Sequence, residues 1–488
     1  MLWIEVFNGK LFPQGADFKR PTSSSLASSA LSALDVVRAA SHTTARALLL
    51  LRVFAFLSAS HALMSSGDIV AFLKAKGHAA AAADVAAAFP PKAPAPAGEL
   101  AVETRLVQSH APMADPYGAA NAPLYQTATF AQASADDFGD YDYTRSGNPT
   151  RTALERTMAD AEGAKHCLAF STGMAALSAV TRLVSAGDDV VLSDDSYGGT
   201  YRLLAQTCKR MGITVRYVAM DGAAGVANLA ASLRAKRAAL VMVESPTNPM
   251  QRVCDLRGLA AVCKASGALL EVDNTLMSPL LQKPLELGAD VVVHSGTKFV
   301  CGHSDTMCGL VCVDDDELRK KLYFAQNAEG TGLAPFDCWL AVRGLKTMCL
   351  RVERAQRTTV EIAKFLESHA LVTKVFYATL EGHPGAALHA TQATGGGCVV
   401  CFTTGDVALS KHVVTATKLF SITVSFGSVH SLISCPCDMS HASIPAEVRA
   451  ARDFPEDIVR VCVGVEDPGD LLADLAAAFA SFPPPAQK

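Results

Sequence analysis

Three apolar runs, each breaking off into a polar cluster, constrain this chain more than any other feature. They are LVMVESPTNP (240–249), GALLEVDNT (267–275) and VVVHSGTKF (291–299). Runs this continuous lack the alternation of a half-exposed strand and predict strands buried on both faces. Such strands belong to parallel sheets covered by helices, and those sheets bind ligands beyond the carboxyl ends of their strands. The polar clusters fall at those ends. The chain is therefore predicted to be an α/β protein, a doubly wound and mostly parallel sheet, with a ligand site assembled from several strand ends.

The third run carries the most specific chemistry. Val291–His294 lead directly into Ser295, Gly296, Thr297 and Lys298, so two hydroxyls and a lysine share one turn. A lysine held against a buried sheet is desolvated, which favours its neutral, nucleophilic amine, and hydroxyls suit phosphate oxygens. That combination meets the needs of pyridoxal phosphate (PLP), which a lysine holds through its aldehyde. The competing reading is a solvated lysine in a polar turn, and the second run decides against it. That run ends in Asp273, a carboxylate placed to keep a pyridine nitrogen protonated. Glu244 and Asn248 follow the end of the first run. Upstream, LAFSTGMAALSAVTRLV (168–184) reads as a strand, a turn and a helix, with Gly173 at the helix start. Free N–H groups at a helix N-terminus attract anions, and glycine lets the backbone approach them closely. Tyr197, ahead of Gly198-Gly199, is suited to stacking on an aromatic ring.

Together with YDYTRSGNPTR (141–151), LAPFDCWLAVRGLKT (333–347) and MSHASIPAEVR (439–449), these motifs resemble, in order, the Cys/Met-metabolism family of PLP-dependent enzymes. The likeness runs from about residue 101 to 480, and PLYQTATF (123–130) and LFSITVSFGSVHSLIS (419–434) resemble its plant-type, organellar β-lyase branch. It implies the aspartate aminotransferase-like fold, fold type I of the PLP enzymes. By the same likeness Lys298 is the Schiff-base lysine and the proton base, and Asp273 is the partner of the pyridine nitrogen. Gly173 and Met174 offer backbone donors to the phosphate, with the hydroxyls of Ser295 and Thr297. Tyr197 is the catalytic, ring-stacking tyrosine, and Asn248 lies near the cofactor's phenolic oxygen. Tyr143 and Arg145 reach the phosphate of a neighbouring subunit, and arginine's fork suits that task. Arg460 clamps the substrate α-carboxylate, with Ser425 close by. The family often has alanine at Gly296 and threonine at Ser440, and neither change removes a group used here.

The resemblance further implies a homo-oligomer, a tetramer of two active dimers, that converts L-cystathionine to homocysteine, pyruvate and ammonia. The cofactor motifs serve β- and γ-elimination alike, so the choice falls on the pocket segment 423–427. Relatives doing γ-chemistry on cystathionine commonly carry glutamate where Val424 stands. An apolar residue there fits a β-lyase, although methionine γ-lyases share it. A γ-synthase or γ-lyase is the alternative enzyme, and a catalytically idle scaffold the alternative outside enzymes.

Composition sets the remaining limits. A chain of 488 residues, 50% hydrophobic, buries a large core and is too long for one compact domain. Its net charge of −4 carries no polyanion signature, so no nucleic-acid partner is expected. The 14 cysteines begin at Cys167 and lie in apolar runs, which suits reduced, buried thiols. Cys398-Val-Val-Cys401 sits inside such a run, and His303 and His441 have no ligand-spaced partners, so no metal is expected. Residues 1–100 read as a leader. An apolar stretch at 46–62 is broken by Arg52 and too short to span a membrane, yet it suits the core of a targeting peptide. Residues 64–88 weakly resemble a LisH-type helical motif, and 80–97 an Ala/Pro linker. A plastid location is expected, with the cytoplasm as alternative. After the leader come an arm contacting the neighbouring subunit (101–147), a PLP domain (148–345) and a smaller C-terminal α/β domain (346–488).

Overall fold

The computed structural model describes residues 100–109, 117–442 and 444–483. The leader, with its targeting-like stretch and the segment 64–88, lies outside the described residues. The described residues form one compact unit. It begins with helix α1 (Val102–Gln108) and an irregular arm, and the arm leads into α2 (Pro149–Glu162). Helix α2 starts as its sequence dictates: Asn148 accepts a hydrogen bond from the Thr150 amide, and Pro149 occupies the first turn.

A seven-stranded sheet follows, built from β1 (His166–Phe170), β2 (Asp189–Ser193), β3 (Thr214–Val218), β4 (Leu240–Glu244), β5 (Leu269–Asp273), β6 (Val291–Ser295) and β7 (Gly309–Val313). Its order is β1-β7-β6-β5-β4-β2-β3. Strands β3, β2, β4, β5 and β6 run parallel, while β7 is antiparallel to both of its neighbours. The three apolar runs are thus the adjacent central strands β4, β5 and β6, and their carboxyl ends lie side by side. Register places Glu244 opposite Asp273. Both sheet faces are covered, which is why these strands do not alternate. Val190, Leu192, Leu240 and Val293 pack in one core layer, Val191, Val241, Leu270 and Val272 in another.

Helices α3 (Gly173–Thr181), α4 (Asp316–Glu329), α5 (Pro335–Leu345) and α6 (Met348–Ser368) complete the large layer and lead out of it. The predicted boundary at 345/346 falls in the turn between α5 and α6. Beyond it lies a five-stranded sheet of β8 (Lys374–Phe376), β9 (Val399–Thr403), β10 (Ser421–Ile422), β11 (Leu432–Ser434) and β12 (Val459–Cys462), in the order β10-β11-β12-β9-β8. This sheet is antiparallel except for β10 beside β11. Cys398 and Cys401 are buried in and beside β9, and all 14 cysteines are free thiols. No group of three metal-ligating side chains occurs among the described residues. No helix among them is long and apolar enough to cross a membrane.

Candidate active site

Beyond the ends of β4, β5 and β6 opens a cavity. Its lining includes Gly173, Met174, Tyr197, Glu244, Asn248, Asp273, Thr275, Ser295, Thr297, Lys298 and Phe426. Eight of the thirteen residues named for the site from sequence are therefore gathered around one space.

Lys298 is presented by the turn that ends β6, where its amide donates to the Ser295 carbonyl at 3.0 Å. The ammonium Nζ donates to Ser425 Oγ at 2.7 Å and lies 5.4 Å from the Phe426 ring centroid. Burial, with the nearby charge of Arg460 adding to it, lowers its pKa to about 8. Close packing enforces this arrangement. A Cβ on Gly427, whose φ is +82°, would fall 2.8 Å from the Lys298 carbonyl carbon. Ser425 itself is held at φ +91°, a conformation that costs energy for any residue but glycine. The bonds to Lys298 and Arg460 hold it there.

The acids sit opposite. Asp273 accepts the Thr275 amide at 2.9 Å, and burial pushes its pKa up despite that bond. Glu244 is pushed well above the carboxylate range by burial and by Asp273 beside it. Its Oε1 accepts the Tyr197 amide, so the glutamate ties the end of β4 to the start of the tyrosine loop. Asn248 Oδ1 accepts from Arg460 Nη1 at 3.1 Å, and Arg460 Nη2 donates to the Ser425 carbonyl at 2.9 Å. Arg460 is buried, and no acidic side chain among the described residues lies in ion-pair range of it. A buried guanidinium without a counter-ion is costly to maintain and calls for an anion.

Helix α3 begins at the cavity with its amides free to face it, and Thr172 caps it by accepting from the Ala175 amide at 2.9 Å. A Cβ on Gly173 would stand 3.0 Å from the Ser295 side chain, so only a glycine leaves room between helix and turn. Thr297 lines the cavity, while its hydroxyl is engaged with the Cys308 backbone at 2.9 and 3.2 Å.

Five predicted site residues lie outside the lining. Ser425 and Arg460 stand just behind it, joined through Lys298 and Asn248. Tyr143 and Arg145 line a separate hollow with Gln126, Thr127, Thr144 and Pro335. There Arg145 donates to the Asn327 carbonyl at 2.9 Å. Val424 departs from the pocket position expected for it: its side chain is 54% exposed and does not line the cavity. The cause is local, because Ser425 and Gly427 both take positive φ and break the alternation that a regular strand would give. Phe426, Thr275 and His441 were not anticipated. Phe426 lies in the pocket segment 423–427 that the sequence marked, though Val424 and not Phe426 was singled out there, while His441 comes from a segment whose polar character alone marks no site. Thr275 was visible in the VDNT motif as the residue that fixes Asp273.

The site suits PLP on its own geometry. A phosphate fits the free amides at the start of α3 and Ser295, and an aldehyde fits Lys298. Asp273, destabilised as an anion by burial, is matched by a protonated ring nitrogen. Fold and cavity together define a PLP-dependent enzyme acting on an amino acid. The chain belongs to the Cys/Met metabolism PLP-dependent enzyme family, which it matches over residues 103–480. It is 55% identical over 369 residues to the chloroplastic cystathionine beta-lyase of Arabidopsis thaliana, covering 76% of this chain and 79% of that protein. It is 47% identical over 396 residues to cystathionine beta-lyase of Neurospora crassa, covering 80% and 85%. Among solved structures, cystathionine gamma synthase from Xanthomonas oryzae pv. oryzae in complex with cystathionine superposes with a TM-score of 0.75 at 37% identity. The match covers 78% of this chain and 98% of that one.

Proposed function

We propose that this protein is a cystathionine β-lyase, cleaving L-cystathionine to homocysteine, pyruvate and ammonia. The carrying observation is Arg460, a buried guanidinium without a counter-ion among the described residues, one residue away through Ser425 from an amine of lowered pKa. An α-amino acid supplies the missing carboxylate and brings its α-carbon toward that amine. Preference for β-chemistry is supported by the names of the relatives.

When bound, PLP draws electron density away from the bond broken at the substrate's α-carbon. Lys298 would hold it, with Asp273, Gly173, Met174, Tyr197, Asn248, Ser295 and Thr297 around it. Arg460 binds the substrate carboxylate and fixes its orientation before reaction. Lys298, titrating near neutrality, takes the α-proton as the general base. Ser425 accepts its hydrogen bond and aims the amine. The ammonium so formed carries a proton for the departing homocysteine sulfur.

Tyr143 and Arg145, in their own hollow, are read as serving the site of a neighbouring subunit, so the active unit is a dimer and the assembly a tetramer of two dimers. A plastid location is inferred from the chloroplastic relatives. Incubation with L-cystathionine tests the reaction: pyruvate with homocysteine supports it, whereas 2-oxobutyrate with cysteine means γ-elimination.

A further inference from the structure

We propose that His441 is a positioning residue of this site: its Nε2–H holds the Asn248 peptide while its ring braces Tyr197, so that Asn248, Arg460 and Tyr197 share one geometry. His441 contributes no atom to the cavity lining. It lies in the turn after β11, its amide bonded to the Pro436 carbonyl at 2.9 Å, and its side chain is buried.

The bonding pattern fixes its chemistry. Nε2 lies 3.1 Å from the Asn248 carbonyl oxygen, and Nδ1 lies 2.9 Å from Ser440 Oγ. A carbonyl can only accept, so Nε2 carries the hydrogen. Burial and the positive charge of Arg460, with Arg449 and Arg452 adding to it, push the ring's pKa down to about 3. The ring is therefore neutral, Nδ1 is bare, and the Ser440 hydroxyl donates to it. One tautomer satisfies every partner.

Asn248 is thereby held on three sides. Its carbonyl accepts from His441, its side-chain oxygen from Arg460, and its amide donates to Glu244 Oε2 at 3.4 Å. Glu244 in turn accepts the Tyr197 amide. The His441 and Tyr197 rings meet edge to face, centroids 6.5 Å apart and planes at 82°, and Phe454 packs on the imidazole at 5.3 Å. His441 thus couples the carboxylate anchor to the stacking ring through an uncharged contact.

This inference rests on the proposed function only in taking Arg460 as the anchor of a substrate carboxylate. The test compares H441Q, H441N and H441F. A glutamine amide reaches the Nε2 position, an asparagine amide only the Nδ1 position, and phenylalanine keeps the ring without a donor. H441N and H441F should raise KM for L-cystathionine and the calorimetric Kd for L-alanine by about tenfold each, the effect of one buried hydrogen bond. Their kcat should stay within roughly threefold of the parent, and H441Q should return KM to within about threefold of it. The pH profile of kcat/KM should be the same in all four proteins. Equal behaviour of H441Q and H441N, including equal failure to fold, would reduce His441 to packing and overturn the proposal. Loss of one limb of the pH profile would make it an acid or base and overturn it as well. If the parent releases 2-oxobutyrate, the β-lyase reading fails, and the variants are compared on that product.

Discussion

The lowered pKa of Lys298 has a consequence measurable without substrate. An amine with a pKa of about 8 is about one part in eleven unprotonated at pH 7, against about one in three thousand at the ordinary 10.5. Only the free amine attacks an aldehyde, so at pH 7 the site should capture PLP about 300 times faster than an ordinary lysine of equal access. Protein stripped of cofactor and remixed with PLP in a stopped-flow instrument reports capture as growth of a visible band. Between about pH 7 and 10 the rate should rise and level off near 8, as expected where the free amine saturates. Arg460→Met removes the positive charge beside Lys298 at nearly equal volume, so levelling should move to higher pH and the rate at pH 7 should fall. A rate still climbing tenfold per pH unit above 9 in the parent would refute the desolvated-lysine reading. An Arg460→Met profile identical to the parent's would refute the electrostatic part.

Three further outcomes are expected. Arg145→Ala should lose PLP more readily, and mixing it with Lys298→Ala should restore partial activity in hybrid dimers; confirmed subunit exchange without activity would contradict the cross-subunit role. Glu271, buried in β5 with Oε1 unpartnered, has its pKa raised well above 4.5 by burial, Asp273 and Glu244. A carboxyl protonated in the fold and ionised in the unfolded chain makes stability fall as pH rises above 4.5. Glu271→Leu should therefore be more stable at pH 8 by about 1–3 kcal/mol in urea titration, with a smaller gain at pH 5; a destabilised variant would show an unseen partner. Val424→Glu, at an exposed position outside the cavity lining, should change stability by no more than about 0.5 kcal/mol and leave pyruvate formation within about twofold of the parent; loss of pyruvate formation in folded, loaded enzyme would return Val424 to the substrate's surroundings.

What could be read from the chain alone follows how locally each feature is encoded. Lys298, Asp273 and Asn248 each sit within about five residues of the end of a largely apolar run, and a parallel sheet puts such positions side by side whatever the connecting lengths. The antiparallel insertion of β7 between β1 and β6 was not legible, because its run Gly309–Val313 has the same fully buried composition as a parallel strand. His441 and Phe426 reach the site through the second sheet, from about 180 to 200 residues beyond Glu244 and Asn248. No periodicity links such separations. Val424 was misplaced for the opposite reason: its neighbours in sequence were right, but two positive φ values redirect the segment.

Borohydride reduction of the purified protein followed by peptide mass mapping tests the placement of the reaction at Lys298 most directly. Reduction should bleach the visible band, abolish pyruvate release, and leave one pyridoxyl phosphate adduct per chain on the peptide containing Lys298. An adduct on another lysine, or full activity after bleaching, would contradict the site described here.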